Sequence, residues 1–230
     1  MIKENILKIR NRIKEASFRI NKDPAGIIIV AVTKNRAASQ IEEAIACGIA
    51  DIGENRIQEA VSKYSSVLST PYSVPKWHMV GHLQTNKVKD AVRIFDLIQS
   101  VDSVGLTKEI DKEAAKINKI QEILLEVKTS PEATKFGLKP EEAIEVIKEI
   151  AEFKNIKING LMTIAPLVDD PQKTRPYFRL LRELKDKINE SQVASRKLQV
   201  LSMGMSDDFE VAIEEGSNMV RIGRAIFSRQ

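Results

Sequence analysis

The amino-acid sequence predicts an α/β fold: a single (β/α)8 TIM-type barrel that spans residues 1–230 and carries an extra helix at its N-terminus. Eight short apolar runs alternate with longer amphipathic segments along the chain. Several of these runs are rich in Ile, Val and Leu without polar alternation, which is typical of parallel strands buried on both faces. Eight strands with helices between them favour a closed barrel, and an open doubly wound sheet is the alternative.

The predicted strands are separated by segments that can form right-handed crossover helices. In chain order they cover residues 26–32, 50–53, 76–80, 97–101, 121–127, 157–164, 198–203 and 219–222. No linker, internal repeat or low-complexity segment divides the chain, and the stretch from Pro71 to Pro75 indicates a loop rather than a domain boundary.

Local signals predict where several helices begin and end. Two capping boxes predict helix starts, Ser39 with Glu42 and Asp207 with Glu210, and glycines at positions 48 and 216 end the same two helices. Ser103 can cap a further helix, and Pro140 lies near the start of another. Apolar residues recur at helical spacing after both signals: Leu106, Ile110, Ala114 and Ile117 after the first, and Ile144, Ile147 and Ile150 after the second.

The N-terminal helix is predicted from a stripe of isoleucines at spacings of four, three and four. The stripe consists of Ile2, Ile6, Ile9 and Ile13. Only residues 224–230 follow the last predicted strand, too few for a full covering helix. We therefore expect the N-terminal helix to cover the part of the barrel wall that the short C-terminal segment leaves bare.

The composition is that of an ordinary soluble protein, with 43% hydrophobic and 30% charged residues. No apolar run approaches the roughly 20 residues of a membrane helix, and the N-terminus lacks a signal-peptide core. The single cysteine, Cys47, excludes an internal disulfide framework and predicts a cytoplasmic location. Although the net charge is +4, the cations are interspersed with acids and aromatics make up only 5%, so nucleic acid is not an expected partner.

Lys34 is the first candidate for chemistry, because it follows the first strand at the end that faces the active site in barrels of this type. Partial desolvation after five apolar or small residues would favour the neutral amine that forms a Schiff base. From its position alone, a solvated lysine at the end of a strand is the competing interpretation.

Arg221 lies within the last predicted strand, where a buried guanidinium needs an anionic or acceptor partner. That partner is either a structural one or a ligand. Gly223 and Arg224 follow at the end of the strand, where a glycine allows backbone N–H groups to approach a phosphate.

Ser206 lies between the seventh strand and a helix start, a place that suits an anion site. An ordinary turn that only caps the helix is the alternative. Asn55 follows the second strand and can direct an amide into the barrel mouth, although Asn is also a common turn residue. His78 and His82 are spaced as zinc ligands on a helix, but their stretch predicts a strand followed by a turn, so we expect hydrogen-bonded barrel residues and no metal site. Cys47 is expected to be a packed thiol.

Seven separated stretches together resemble the YggS/PROSC family of pyridoxal phosphate homeostasis proteins. They occur in the family's order and span nearly the whole chain: AVTK at 31–34, GENRIQE at 53–59, WHMVGHLQTNK at 77–87, KFGL at 135–138, GLMTI at 160–164, LSMGMSDD at 201–208 and MVRIGRAIF at 219–227. The resemblance implies a fold like the N-terminal barrel of alanine racemase, without that enzyme's second, β-rich domain.

The resemblance also implies a cofactor, pyridoxal 5′-phosphate (PLP), and a role for each candidate residue. Lys34 matches the lysine that forms the Schiff base with PLP. Ser206 and the backbone of Gly223 and Arg224 match the phosphate-binding elements, Arg221 matches the arginine that faces the pyridine nitrogen, and Asn55 lies beside the ring. The position of Arg224 is often threonine in relatives, so one hydroxyl contact is lost here while the cation can assist.

These expectations favour a non-catalytic PLP carrier or homeostasis protein, with apo PLP-dependent enzymes as possible recipients. An arginine at the pyridine nitrogen disfavours ring protonation, and this sequence ends at Gln230 without the second domain that supplies a further acid/base group in the racemases. A weak amino-acid racemase or other PLP enzyme is the alternative, and a barrel lyase or aldolase that uses Lys34 without PLP is a third class. Because a known dimer contact is missing, a monomer is expected.

Overall fold

The eight predicted strands form a closed parallel barrel in the computed structural model, which describes residues 1–69, 72, 74–131, 136–191, 193 and 197–228. Each strand pairs with the next in the chain, and β8 closes the barrel by pairing with β1. The strands are β1 (Ile28–Val32), β2 (Asp51–Glu54), β3 (Lys76–Met79), β4 (Leu97–Val101), β5 (Gln121–Glu126), β6 (Ile156–Met162), β7 (Val200–Ser202) and β8 (Met219–Ile222). The closed barrel predicted from the sequence is confirmed, and the open sheet is excluded.

Helices of the described residues cover the outside of this barrel. They are α1 (Ile2–Arg19), α2 (Ala38–Ala46), α3 (Ile57–Leu68), α4 (Val88–Ile94), α5 (Val104–Ala115), α6 (Ala143–Ile150), α7 (Arg175–Ser191), α8 (Phe209–Glu214) and α9 (Arg224–Phe227). Buried apolar side chains fill the space between these helices and the strands. None of the helices in the described part of the chain combines the length and the apolar character needed to cross a bilayer.

A separate apolar cluster lies within the barrel itself. Its buried members are Val30, Val80, Leu97, Leu124, Met162 and Met219. Because side chains alternate between the two faces of a strand, Val32, two positions after Val30 on β1, is directed to the same inner face. The inner cluster therefore forms the floor beneath the C-terminal ends of the strands.

The N-terminal helix α1 covers the wall next to β1 and β8, as the sequence predicts. Its four isoleucines are buried in one cluster with residues of α8, α9 and the last strand. Asn5 also donates its side-chain amide to the carbonyl of Ile226 at 2.9 Å, and Arg12 forms an ion pair with Glu210 at 2.8 Å. These contacts join the two ends of the chain.

The two predicted capping boxes are wrong. Helix α2 starts one residue before Ser39, and its first turn is closed by Gln40, whose Oε1 accepts from the Ala37 N–H at 3.3 Å. Before α8, the carboxylate of Asp208 accepts from the Met205 N–H at 2.6 Å. The residues of the second predicted box point elsewhere, since Asp207 pairs with Arg224 and Glu210 pairs with Arg12.

The other helix signals agree with the structure, with one exception. Ser103 caps α5 by accepting from the Leu106 N–H at 3.2 Å, and the glycines at 48 and 216 follow their helices with positive φ values of 82° and 104°. Ile117 is the exception: α5 ends at Ala115, Asn118 adopts a left-handed φ of 51°, and Ile117 is left 40% exposed. Pro71 of the predicted loop and Lys135 of the KFGL stretch lie outside the described residues.

Candidate cofactor site

The barrel brings all six predicted site residues to its C-terminal end. Lys34 follows β1 and Asn55 follows β2, while Ser206 follows β7. Arg221 is the third residue of β8, and Gly223 and Arg224 come directly after that strand. Because β1 pairs with both β2 and β8, and β7 pairs with β8, these residues occupy four consecutive strand ends.

Lys34 lies in a tight turn rather than in the strand. The N–H of Arg36 donates to the carbonyl of Thr33 at 3.0 Å, and Asn35 takes a left-handed φ of 57°. The Lys34 side chain is exposed, which agrees with the interpretation of a solvated lysine at the end of a strand and not with partial desolvation of its ammonium. The reason is that only the strand residues before Lys34 are covered, while the turn that carries it extends beyond the barrel wall. The amine is therefore accessible to a ligand from solution.

Arg221 is buried and forms three hydrogen bonds inside the barrel. Its Nη1 donates at 2.7 Å to both the carbonyl and the hydroxyl of Ser202, and its Nη2 donates to the carbonyl of Thr163 at 2.7 Å. These acceptors confirm the expected need for partners and identify structural ones. Burial lowers the pKa of the guanidinium to about 10, although the carboxylates of Glu126 and Asp208 act to raise it. Arg221 therefore remains a cation at neutral pH.

A buried chain of hydrogen bonds continues from Arg221 across the barrel. The Ser202 hydroxyl donates to Gln99 Oε1 at 2.6 Å, and Gln99 Nε2 contacts His78 Nδ1 at 2.8 Å. At the far end, His78 Nε2 lies 3.0 Å from a carboxylate oxygen of Asp51. Since the amide of Gln99 accepts from Ser202 and donates to His78, the imidazole must accept at Nδ1 and donate from Nε2 to Asp51.

The two histidines therefore have different surroundings. His78 is the hydrogen-bonded barrel residue that the sequence predicts. His82 lies near the surface, with Nδ1 3.4 Å from Asp102 and its ring stacked on Phe136 at a centroid distance of 3.7 Å. Within the described residues, no cluster of three or more possible ligands could hold a metal ion. Cys47, which follows α2, is a half-buried free thiol.

The loop after β7 and the end of β8 form a corner that suits an anion. The Ser206 hydroxyl is largely buried and accepts from the N–H of Ala225 at 3.2 Å. Ser206, Arg224 and Ala225 line an open cavity of about 500 Å³, together with Arg12 from α1. The guanidinium of Arg224 is already paired with Asp207, and both side chains are largely exposed. The expected help from the Arg224 cation therefore competes with this ion pair.

Gly223 joins this corner to the strand that carries Lys34. A Cβ atom at position 223 would lie 3.4 Å from the Cβ of Val32 and 3.2 Å from the carbonyl oxygen of Val32. The second distance is shorter than most Cβ contacts in proteins. The glycine therefore allows the end of β8 to lie against the end of β1. This close approach places the start of the segment after β8 beside the end of β1, two residues before Lys34.

Glu126, at the end of β5, was missed by the sequence analysis. The residue is 7% exposed and lines a second cavity of about 230 Å³ together with Asn55, His82 and Phe136. Burial raises the pKa of its carboxyl to about 7; the cation of Arg221 acts in the opposite direction and the carboxylate of Asp102 adds to the rise. The available signal was an acidic residue two positions after an inward-facing leucine at the C-terminal end of a strand.

A second group of charges was missed because its members lie on different elements, Glu54 on β2 and Glu59 and Lys63 on α3. Lys63 of α3 donates to Glu54 at 2.8 Å and to Glu59 at 2.6 Å, directly behind the Lys34 turn. The spacing of Glu59 and Lys63 predicts an ordinary i,i+4 surface pair. Only the fold brings the buried Glu54 of β2 into contact with them.

The comparisons with known proteins define the class of barrel. The family model described as "Alanine racemase, N-terminal domain" matches residues 2–229. The alanine racemase of Clostridium difficile has the same fold, with a TM-score of 0.76 at 17% identity, and this chain covers 56% of it. The match shows a shared barrel.

Full-length relatives then identify the family. The pyridoxal phosphate homeostasis protein of Aquifex aeolicus is 41% identical over 228 residues, covering 99% of this chain and 97% of the relative. The PipY protein of Synechococcus elongatus, solved with PLP bound, is 32% identical with a TM-score of 0.87, covering 99% of this chain and 100% of that one. The chain belongs to the family of pyridoxal phosphate homeostasis proteins.

Proposed function

We propose that this protein binds PLP through a Schiff base on Lys34 and serves in PLP homeostasis by storing or delivering the cofactor. The observation that carries the proposal is the accessible Lys34 amine at a strand end flanked by Asn55 on one side and by the end of β8 on the other. PLP supplies an aldehyde that condenses with a lysine amine. The PLP-bound structure of PipY, a relative of full length, supports the same assignment.

The phosphate of PLP is assigned to Ser206 and the backbone of Gly223 and Arg224. Support comes from the approach of β8 to β1 at Gly223 and from the open cavity that Ser206 and Arg224 line. Here the hydroxyl and the peptide N–H groups would donate to phosphate oxygens. The cations of Arg12 and Arg224 add a favourable field, which the carboxylates of Asp207 and Glu210 partly cancel.

Arg221 is assigned to the pyridine nitrogen of the ring, with Asn55 beside the ring. A group that stays cationic at neutral pH disfavours protonation of that nitrogen, and an unprotonated ring is a weaker electron sink for carbanion chemistry. The three hydrogen bonds of Arg221 to Ser202 and Thr163 support this assignment, because they fix the guanidinium before any ligand arrives. These properties favour a carrier over an enzyme.

A weak amino-acid racemase or another PLP enzyme is the second candidate, and Glu126 is the observation that favours it. A buried carboxyl with a pKa of about 7, in the cavity that Asn55 also lines, has the properties of a general acid or base. The carrier is preferred because the names of the full-length relatives describe homeostasis proteins.

The experiment that tests the proposal is absorbance spectroscopy of purified protein titrated with PLP. We expect a yellow protein with a visible Schiff-base band that is absent in Lys34→Ala. A matched control is Lys76→Ala, which removes an exposed lysine from the opposite, N-terminal end of the barrel and should keep the band. A colourless protein that gains no band with PLP would contradict the proposal.

Two further measurements separate the carrier from the enzyme. Rapid, Lys34-dependent exchange of amino-acid α-protons in deuterated water would favour the enzyme. Transfer of bound PLP to an apo PLP-dependent enzyme would support the carrier, with such enzymes as the recipients. The proposal also places a monomeric protein in the cytoplasm, where its single cysteine would stay reduced.

A further inference from the structure

A buried ionic cluster lies behind the two strand ends that carry Lys34 and Asn55. The cluster consists of Thr33, Glu54, Glu59 and Lys63, and neither Lys34 nor Asn55 belongs to it. Glu54 is 0% exposed and Lys63 is 8% exposed. The role assigned to the PLP-binding residues above does not use any of these four side chains.

Lys63 is the centre of this cluster, and each of its three ammonium protons has an acceptor. The Nζ atom lies 2.7 Å from the carbonyl oxygen of Thr33, 2.8 Å from Glu54 Oε1 and 2.6 Å from Glu59 Oε1. An ammonium has three donors, so its hydrogen bonding is complete. Charge-assisted bonds of this kind are about twice as strong as neutral ones.

The cluster forms hydrogen bonds to the backbone on both sides of Lys34. The carbonyl of Thr33, the residue before it, accepts from Lys63. The N–H of Asn35, the residue after it, donates to Glu59 Oε1 at 2.5 Å. The same Glu59 oxygen also accepts from Lys63. Lys63 therefore holds the peptide group before Lys34 directly and the peptide group after Lys34 through Glu59.

We propose that Lys63 is a positioning residue, which holds the Lys34 turn through Thr33 and Glu59 and thereby sets the amine for attachment of PLP. The inference rests on the proposed function. The hydroxyl of Thr33 adds a bond of 2.5 Å to Glu54 Oε1, which ties the end of β1 to the end of β2. Glu54 directly precedes Asn55, so the cluster fixes the approach of both site residues.

The electrostatics of the cluster agree with this role. Burial raises the pKa of the Glu54 carboxyl, although the bonds from Lys63 and Thr33 act to lower it. For Glu59, burial acts upward as well, but the bonds from Lys63 and from the Asn35 N–H prevail and the pKa is lowered. A carboxylate shared by a cation and a peptide N–H is therefore the anchor of the turn.

The test uses the full chain and four substitutions. Glu59→Ala removes the acceptor of the Asn35 N–H, whereas Glu59→Gln keeps an oxygen at that place. Lys63→Met removes the central cation. Its matched control is Lys119→Met, because Lys119 also donates to two backbone carbonyls, those of Val92 and Phe95 at 2.7 Å, but far from the Lys34 turn.

Two readouts are measured for each variant. The first is amide hydrogen exchange of Asn35 and Arg36 in PLP-free protein, which does not depend on the cofactor. The second is the dissociation constant for PLP, read from the Schiff-base band and corrected for the folded fraction. We expect faster exchange and binding weakened about tenfold or more in Glu59→Ala and Lys63→Met, because a misplaced reactive group loses most of its advantage. Lys119→Met should stay near the parent protein, and Glu59→Gln should lose less than Glu59→Ala because it keeps an acceptor oxygen but not the charge.

The outcomes distinguish this inference from the proposed function. Unchanged exchange at Asn35, or PLP binding within about twofold of the parent in Glu59→Ala, overturns the positioning role of the cluster. An equal loss in Lys119→Met also overturns it, since the effect would then be one of general stability. If the parent protein forms no Lys34 adduct at all, the proposed function fails and this inference fails with it. Because Glu59 is only half-buried, its variants keep the test decisive even if Lys63→Met does not fold.

Discussion

The hydroxyl of Ser202 accepts a hydrogen bond from Arg221 at 2.7 Å and donates one to Gln99 Oε1 at 2.6 Å. Ser202 is therefore the junction between the cation of the candidate site and the polar chain that crosses the barrel to His78 and Asp51. Since every member from Arg221 to His78 is buried, no water is at hand to replace a lost partner.

Replacing Ser202 with alanine should destabilise the fold by about 1–3 kcal/mol, because two buried groups then lose a partner. Urea unfolding measures the loss. Ser69→Ala is the control, since the Ser69 hydroxyl bonds a carbonyl of its own helix at an exposed site, and its change should stay within about 0.5 kcal/mol. Equal effects of the two substitutions would contradict a structural chain through Ser202.

The raised pKa of Glu126 makes stability depend on pH. The pKa of Glu126 is about 7 in the folded protein, above its usual value of 4.5. The folded state therefore binds this proton more tightly than the unfolded state, which favours folding at low pH. This contribution to stability is lost as the pH rises from about 4.5 to about 7. Glu126→Gln should therefore be more stable than the parent at pH 8, by up to about 3 kcal/mol, and nearly equal to it at pH 4.5.

The control for this pH dependence is Glu122→Gln on the same strand. The side chain of Glu122 is 40% exposed and forms an ion pair with Lys157 at the surface. Its substitution should leave the pH profile of urea unfolding unchanged in shape. A Glu126→Gln variant whose stability falls between pH 5 and 8 in parallel with the parent would rule out Glu126 as the titrating group.

The N-terminal helix offers a prediction about packing. Ile9 is 1% exposed against the wall of α8, α9 and β8, and Ile9→Ala should cost about 2–5 kcal/mol. Leu7 on the same helix is 52% exposed, so Leu7→Ala should change stability by no more than about 0.5 kcal/mol. Deletion of residues 1–21 should destabilise the barrel further, and an unchanged melting curve for the deletion would disprove the covering role.

The ion pair between Asp207 and Arg224 predicts a gain of PLP binding. Asp207→Asn releases the Arg224 guanidinium toward the phosphate corner and removes a negative charge there. Because exposed pairs of this kind are worth little, PLP should bind about twofold to fivefold more tightly, and the gain should shrink at high salt. Asp169→Asn, at an exposed site of another loop, should leave the affinity unchanged. Weaker binding in Asp207→Asn would mean that the carboxylate itself orders the corner.

The sequence predicts the strands well, because the apolar runs of a parallel barrel are continuous and their order is fixed by right-handed crossovers. It predicts less well the details that depend on through-space partners. The capping box at Asp207 fails because Arg224, from another strand end, takes its carboxylate. For Lys34 the sequence leaves a solvated and a partly desolvated amine open, and the structure favours the solvated one because β1 ends at Val32 and Lys34 lies in the turn that follows.

The candidate site shows the same division. Lys34, Asn55, Ser206, Arg221, Gly223 and Arg224 can be named from the sequence because each lies at or next to the end of a strand or in a recognisable stretch. Glu126 offers only its place at the end of a strand as a signal, and the cluster around Lys63 offers none, since their burial and their partners arise only when β1, β2, α3 and β5 are placed around the barrel.

Peptide mapping after borohydride reduction tests most directly whether Lys34 carries PLP, because reduction fixes a lysine Schiff base as a stable covalent adduct. The protein is saturated with PLP, reduced, digested and analysed by mass spectrometry. We expect one adduct per chain, located on Lys34, and its disappearance in Lys34→Ala. An adduct distributed over surface lysines, or one that persists at full yield in Lys34→Ala, would contradict the assignment of Lys34 as the anchor of PLP.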